Sequence, residues 1–238
     1  MEYNISDAVE EIVLEMHFLR FAFKEDLINY SALARFIKPL VEERVGEHVG
    51  LDAIVMALKK HSPSLSSQPF NIFGVFKEAR LLLRTGVCLI HFERTEELHK
   101  KLVEFQRNID WAAGEKLYLL QRSEEISIVA LSKYEGGLLS LAAPGQVLKK
   151  YSNLAVVTVQ FPEEYFDTYG VFEYLANQFT DVGVSIKEVF SSHDKVSLVF
   201  DEDKASLVYE KLSKAVEASR QLSELQGKKK QEISVRAP

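Results

Sequence analysis

Apolar residues in the first quarter of the chain recur every three or four positions, as they do on one face of an α-helix. The first such stripe contains Ile12, Met16, Leu19 and Phe23. It follows an acidic turn, which suits the positive end of a helix dipole. A second helix is predicted from Ser31, ended or kinked by Pro39, and a third helix from Asp52. Residues 6–61 are therefore predicted to be helical.

The pattern changes after residue 150, where short apolar runs alternate with helical stripes. Asn153–Val216 predicts the order strand, helix, strand, strand, helix. The predicted elements are a strand at Leu154–Phe161, a helix after Gly170, a strand beginning within Gly183–Ile186, a strand at Val196–Phe200 and a helix from Asp201. After the run Lys228–Lys230, residues 232–236 are predicted to form a last edge strand of the sheet. Lysines are suited to such an edge, because they discourage its pairing with another strand.

This segment resembles the ACT domain, a βαββαβ ligand-sensing module of amino-acid metabolism. Its loop holds Glu163, Glu164, Asp167 and Gly170, where the family has an acidic residue and a glycine. Gly183–Ile186 stands where the family enters its second strand, although Ser185 replaces the usual asparagine. The loop is also longer than the family's.

The resemblance implies an amino-acid site between the first strand–helix loop of one copy and the second strand of a neighbouring copy. Backbone N–H groups at the helix N-terminus would bind the ligand's carboxylate. The ligand-binding residues carried over are Asp167, Tyr169, Gly170 and Val171 on one side and Gly183, Val184, Ser185 and Ile186 on the other. The alternative is a structural unit that only dimerises through its sheet, with the loop tyrosines as packing residues.

The middle of the chain repeats the same order without evident residue identity. A strand at Val87–Phe92 and a helix at Thr95–Ile109 precede a hairpin formed by Lys116–Arg122 and Ile126–Ser132. These elements predict a degenerate ACT-like copy over roughly Val75–Leu141, with Gly136-Gly137 and Pro144-Gly145 as breaks before the second copy. An unrelated α+β segment is the alternative.

The N-terminal part resembles a winged helix-turn-helix. Ser31–Ile37 and Gly50–Lys60 would be its two helices, and Val75–Leu83 and Val87–Phe92 would flank Arg84-Thr85-Gly86 as the wing hairpin. The DNA contacts would then be Lys59, Lys60 and Arg84. Residues 1–61 hold 7 Lys and Arg against 11 Asp and Glu, which disfavours DNA because phosphate neutralisation supplies much of the affinity. A helical dimerisation or docking module is the favoured alternative.

Composition narrows the function further. The net charge of −6 disfavours a general nucleic-acid binder, and the single cysteine, Cys88, excludes an internal disulfide. Motifs for metals, nucleophiles and nucleotide phosphates are missing, so neither an enzyme nor a cofactor is expected. The apolar runs are too short for a membrane span, and the acidic N-terminus does not fit a signal peptide, so a cytoplasmic protein is expected.

The sequence thus predicts an α+β protein with ferredoxin-like βαββαβ ACT-type units behind an N-terminal helical, winged-helix-like domain. The predicted domains are 1–69, which ends in a Ser/Pro-rich linker over 62–69, then 70–150 and 151–238. The expected function is non-enzymatic sensing of a small molecule, most simply an amino acid, by a homo-oligomer. A structural dimerisation module and a DNA-binding regulator are the alternatives.

Overall fold

The computed structural model describes residues 4–19, 22–23, 26–66, 72–163 and 168–236. Contacts between residues divide the chain into two compact units, Met1–Phe70 and Asn71–Pro238.

The first unit is helical. It contains α1 (Ile5–Glu15), a short 3-10 turn at His17–Leu19, α2 (Tyr30–Val45) and α3 (Leu51–Ser66). Asparagines cap the first two helices: Asn4 Oδ1 accepts from the Asp7 N–H at 2.9 Å, and Asn29 Oδ1 accepts from the Ala32 N–H at 3.0 Å. The three helices bury one shared core, which includes Ala8, Ile12, Ala34, Ile37, Val41, Ile54 and Leu58.

Two boundaries in this unit differ from the prediction. Of the two outcomes predicted at Pro39, an end of the helix does not occur, because the buried stripe of α2 continues through Val41 and packing outweighs one lost N–H donor. The helix ends instead at Gly46, whose φ of +81° is the left-handed conformation common at helix ends. The linker prediction fails over 62–66, which belong to α3, where Ser62 accepts a hydrogen bond from Tyr30. Its remaining residues, 67–69, lie outside the described part.

The second unit is an antiparallel sheet with helices. Its elements are α4 (Ile72–Phe76), β1 (Arg80–Glu93), α5 (Glu96–Phe105), β2 (Leu117–Gln121), β3 (Glu125–Leu131), α6 (Glu135–Leu139), β4 (Val147–Gln160), α7 (Val171–Thr180), β5 (Glu188–Ser192), β6 (Lys195–Asp201) and α8 (Ala205–Arg236). The strand order is β2-β3-β1-β4-β6-β5. The order strand, helix, strand, strand, helix therefore occurs twice, and the two copies join along the two long strands β1 and β4.

The predicted wing hairpin is wrong, because Arg80–Glu93 is one continuous strand. Arg84 pairs with Val156 and Val87 with Leu154, so β1 has one residue more than β4 between these pairs. Gly86 lies in this bulge with φ of +67°. A glycine at positive φ serves a β-bulge as readily as a tight turn, so the local sequence did not distinguish the two.

Three further boundaries differ from the prediction. Gly183–Ile186 precedes β5, because Gly183 takes a positive φ of +66° just after α7 and the strand begins at Glu188. Gly136 and Gly137 lie inside α6. The predicted edge strand at 232–236 is the end of α8, where good helix formers on both sides of Gly227 offset its lower helix propensity.

The helix-covered face of the first copy buries Cys88. Its neighbours in this core include Ile90, Phe92, Leu98, Leu102, Ile128 and Ala130. Burial is the main reason that the pKa of the Cys88 thiol rises from its ordinary value of 9.0 to about 11. The thiol is thus a neutral, packed side chain.

We expect Cys88 to be protected from alkylation in the folded protein. A pKa of about 11 lowers the reactive thiolate fraction at pH 8 by about 100-fold, and burial slows access further. Because the folded state favours the neutral thiol, the free energy of unfolding should also fall as the pH rises above 9.0. Iodoacetamide labelling followed by mass spectrometry, with the urea-unfolded chain as control, measures the protection. Equal labelling rates in the two states would contradict the assignment.

Candidate functional site

The sheet is curled, so the face without helices is concave. The bulge at Gly86 in β1 and a second irregularity in β4, where Asn153 has φ of +54°, bend the central strand pair. The curl brings the edge strands β2 and β5 towards each other, and the rings of Tyr118 and Phe190 lie 4.6 Å apart. The concave face is therefore enclosed by its own sheet, which buries Val87, Leu89, Val129, Leu154, Val156 and Val199.

One end of this interior holds a cavity of about 500 Å³. Its apolar walls include Leu82, Val87, Tyr118, Leu120, Val129, Leu131, Val156 and Phe190. Four Ser and Thr residues add polarity to the wall, namely Thr158, Ser191, Ser192 and Ser197. Thr158 Oγ1 and Ser197 Oγ lie 2.8 Å apart in a hydrogen bond. The volume lies within the range of small-molecule sites in proteins.

Three cationic side chains, those of Arg84, Lys116 and Lys195, also line the cavity. Arg84 Nη2 donates to the Gly114 carbonyl at 3.0 Å, and Lys195 Nζ lies 2.6 Å from Asp194 Oδ1. The lysine contact is the main cause that lowers the pKa of the Asp194 carboxyl, followed by a hydrogen bond from Gln160.

Tyr118 connects the apolar wall to these cations. Burial raises the pKa of its hydroxyl, while the charges of Arg84 and Lys195 act in the opposite direction. Both cations are thus close enough to act on the phenol, at the same end of the curled sheet.

A polar cluster closes the other end of the concave face. Arg122 donates to Glu188 at 2.8 Å, to Glu125 at 2.8 Å and to Ser127 at 2.8 Å. The fully buried Ser127 hydroxyl is also 2.9 Å from His91 Nδ1. Contacts with Glu188 and then Glu125 raise the pKa of the Arg122 guanidinium. Because Arg122 follows β2 and Glu188 begins β5, this ion pair joins the two edges of the sheet.

We expect the two partners of this ion pair to differ in their effect on stability. Arg122→Met leaves the Glu188 carboxylate, which is only 8% exposed, without its cation, and should cost about 1–3 kcal/mol. Glu188→Gln removes the buried charge and keeps an acceptor, so its cost should be below that of Arg122→Met. Urea unfolding of the two single variants and the double variant measures both costs. A double variant no more stable than Arg122→Met would contradict this explanation.

The residues predicted from the ACT resemblance lie at the two ends of α7. Gly170 is its N-cap with φ of +84° and no side-chain cap hydrogen bond, Tyr169 is exposed and Val171 is buried. Gly183, Val184, Ser185 and Ile186 follow the C-terminus of the same helix, whose ten residues span about 15 Å. One copy of the motif therefore does not bring the two groups together. Asp167 lies outside the described residues.

The glycine at 170 is explained by its backbone conformation. A positive φ is strained for most residues and worst for β-branched ones, whereas asparagine tolerates it. We expect Gly170→Val to destabilise the fold by about 1–2 kcal/mol or more, and Gly170→Asn to cost far less. Thermal unfolding of both variants tests this. Equal melting temperatures would show that the left-handed conformation does not require the glycine.

The residues predicted to bind DNA are separated between the two units. Lys59 and Lys60 are exposed in the middle of α3, and Lys60 Nζ lies 3.1 Å from Ser6 Oγ. Arg84 lines the cavity in the other unit. Without the wing hairpin, the geometric reason for grouping Arg84 with the two lysines is lost, and DNA binding stays a prediction.

Sequence reasoning missed the concave cavity. Thr158 lies within the apolar run that predicts a buried strand at Leu154–Phe161, Ser197 lies between the alternating apolar residues of the next predicted strand, and Lys195 belongs to the turn before it. The signal was the same-side alternation of polar residues on β4 and β6, which pair Thr158 with Ser197. Interpreting it required the strand register, which the sequence alone did not provide.

Within the described residues, no group of three or more His, Cys, Asp or Glu side chains is placed to hold a metal ion. In the same part of the chain, the helices are all too short or too polar to cross a membrane.

No family model and no curated protein matches the sequence. Among solved structures, the chain is similar to aspartokinase alpha and beta subunits, with 14% identity, TM-score 0.46, and 57% of this chain and 95% of that chain covered. It is also similar to the ligand-free regulatory subunit of aspartate kinase from Thermus thermophilus, with 12% identity, TM-score 0.45, and 57% of this chain and 95% of that chain covered. For aspartate kinase from Clostridium acetobutylicum the identity is 11% and the TM-score 0.47, with 68% of this chain and 43% of that chain covered. These identities and TM-scores are too low to assign a family or a function.

Proposed function

We propose that this chain is a non-enzymatic regulatory protein that binds a small molecule in the concave cavity of its curled sheet. The observation that carries the proposal is that both βαββα copies supply walls of one cavity, with Arg84 and Tyr118 from the first and Thr158 and Lys195 from the second. A ligand there would contact both copies at once. Binding would therefore stabilise the closed curl relative to more open states.

The cavity chemistry favours binding over catalysis. Around the cavity, the described wall residues include neither a histidine nor a carboxylate, the side chains that most often act as general acids and bases. Of the hydroxyl residues in the wall, Thr158 and Ser197 hydrogen-bond to each other. We propose that the other polar groups of the wall, Tyr118, Lys116 and Lys195, bind a ligand and do not transfer protons.

An amino acid at α7 remains the second candidate. It is favoured by the N-terminus of α7, where Gly170 provides no side-chain acceptor for the first N–H groups. A neighbouring copy would have to supply the partner segment, since Gly183–Ile186 of the same copy lies at the opposite end of the helix. The same requirement would make a homo-oligomer part of this candidate.

We expect a thermal-shift panel of amino acids, organic acids, alcohols and amines to identify a ligand that stabilises the chain. Its binding should be blocked when a larger side chain fills the cavity. Ligand at 100 times its Kd adds about 2.7 kcal/mol of stability. Thr158→Phe places a ring in the cavity and should abolish the shift. Thr85→Phe makes the same change at an exposed position of β1 that does not line the cavity, and should preserve it.

The outcomes separate the candidates. A shift that survives both variants and disappears with Gly170→Val but not Gly170→Asn would move the site to α7. A chain that no compound stabilises would contradict ligand sensing and favour a structural module.

A further inference from the structure

The charged groups at the cavity are unbalanced. Arg84, Lys116 and Lys195 line it, while the carboxylate of Asp194, next to Lys195 in the chain, contacts Lys195 and Gln160. The Asp194 oxygens are thus already engaged. A ligand entering the cavity meets cationic and hydroxyl donors, with little acceptor capacity for a ligand ammonium group.

The rest of the wall is apolar and contains two aromatic rings. Tyr118 and Phe190 face each other from opposite edge strands, and Val87, Val129 and Val156 form the floor between them. When an apolar ligand body packs on this floor, apolar surface of both the ligand and the wall is removed from water, which favours binding. The cavity is therefore polar and positive on one side and apolar on the other.

From this arrangement we infer that the ligand is an organic anion, a carboxylate with an apolar aliphatic or aromatic body and no ammonium group. Its body packs against Tyr118, Phe190 and the apolar floor of the cavity, and its carboxylate lies among Arg84, Lys116 and Lys195. Charge-assisted hydrogen bonds to guanidinium and ammonium groups are the stronger kind, so the acid group decides selectivity. This inference rests on the function proposed above and names the ligand class of the same cavity.

The test compares three compounds with one body and different head groups: 4-phenylbutyrate, 4-phenylbutanol and 4-phenylbutylamine. Titration calorimetry on the full chain should show binding of the acid, at least tenfold weaker binding of the alcohol and no binding of the amine. Arg84→Gln and Lys195→Gln should each weaken the acid about tenfold and leave the alcohol unchanged. Lys100→Gln is the matched control, since Lys100 is exposed on α5 in a pair with Glu96, and should change neither.

The results distinguish this inference from the proposed function. Alcohol or amine binding as tight as that of the acid, blocked by Thr158→Phe, would overturn the anion inference and leave the cavity as a ligand site. Acid binding that Thr158→Phe does not affect would overturn both. If none of the three compounds binds at millimolar concentration, the inferred class is wrong, and the wider panel alone decides whether the chain senses a ligand. Circular dichroism on each variant verifies that loss of binding is not loss of fold.

Discussion

The antiparallel pairing of β1 with β4 is the contact on which the second unit depends. Each strand has 14 residues, long for a globular protein, and together they join two βαββα copies into one sheet. A straight pair of this length would give an open, twisted sheet with one bare face. The irregularities at Gly86 and Asn153 bend it instead, and the bend brings β2 near β5. Joining the copies and enclosing the concave face thus have one cause.

This closure changes the expectation about assembly. A single ACT-like unit has open edges and an uncovered apolar face, which is why a homo-oligomer was predicted. Here each internal copy covers the helix-free apolar face of the other. Leu89 and Val199 are fully buried on this face. Burial of one such side chain contributes about 1.5–3 kcal/mol, so the enclosed face stabilises the monomer considerably. A homo-oligomer stays a prediction, but the uncovered apolar face is no longer a reason for it.

Local sequence patterns correctly predicted those elements whose boundaries are set by residues close to them in the sequence. The hairpin of β2 and β3, helix α7 after Gly170 and strand β6 follow the alternation and spacing of their own residues. The failures involve long-range effects. A glycine at position 86 suits a tight turn and a β-bulge equally well. Only the pairing of β1 with β4 selects the bulge. Gly183–Ile186 has strand-like side chains, yet the positive φ of Gly183 delays the strand. The amino-acid site came from resemblance, whereas the cavity arises from strand register and curl.

The two ends of the concave face differ in how their charges are balanced. At one end, the cation of Arg122 is held by Glu125 and Glu188, and the buried Ser127 hydroxyl is satisfied by Arg122 and His91. The network joins Arg122, just after β2, to Glu188 in β5, so it holds the two edge strands together. At the other end, three cations meet a cavity whose wall lacks carboxylates among the described residues. Asp194 pairs with Lys195, and Lys116 is exposed to water, so the positive charge at this end is offset only in part by a carboxylate and by solvent. An anion bound there would meet the remaining positive charge, while the ion pair of Arg122 with Glu188 holds the two edge strands of the same sheet together.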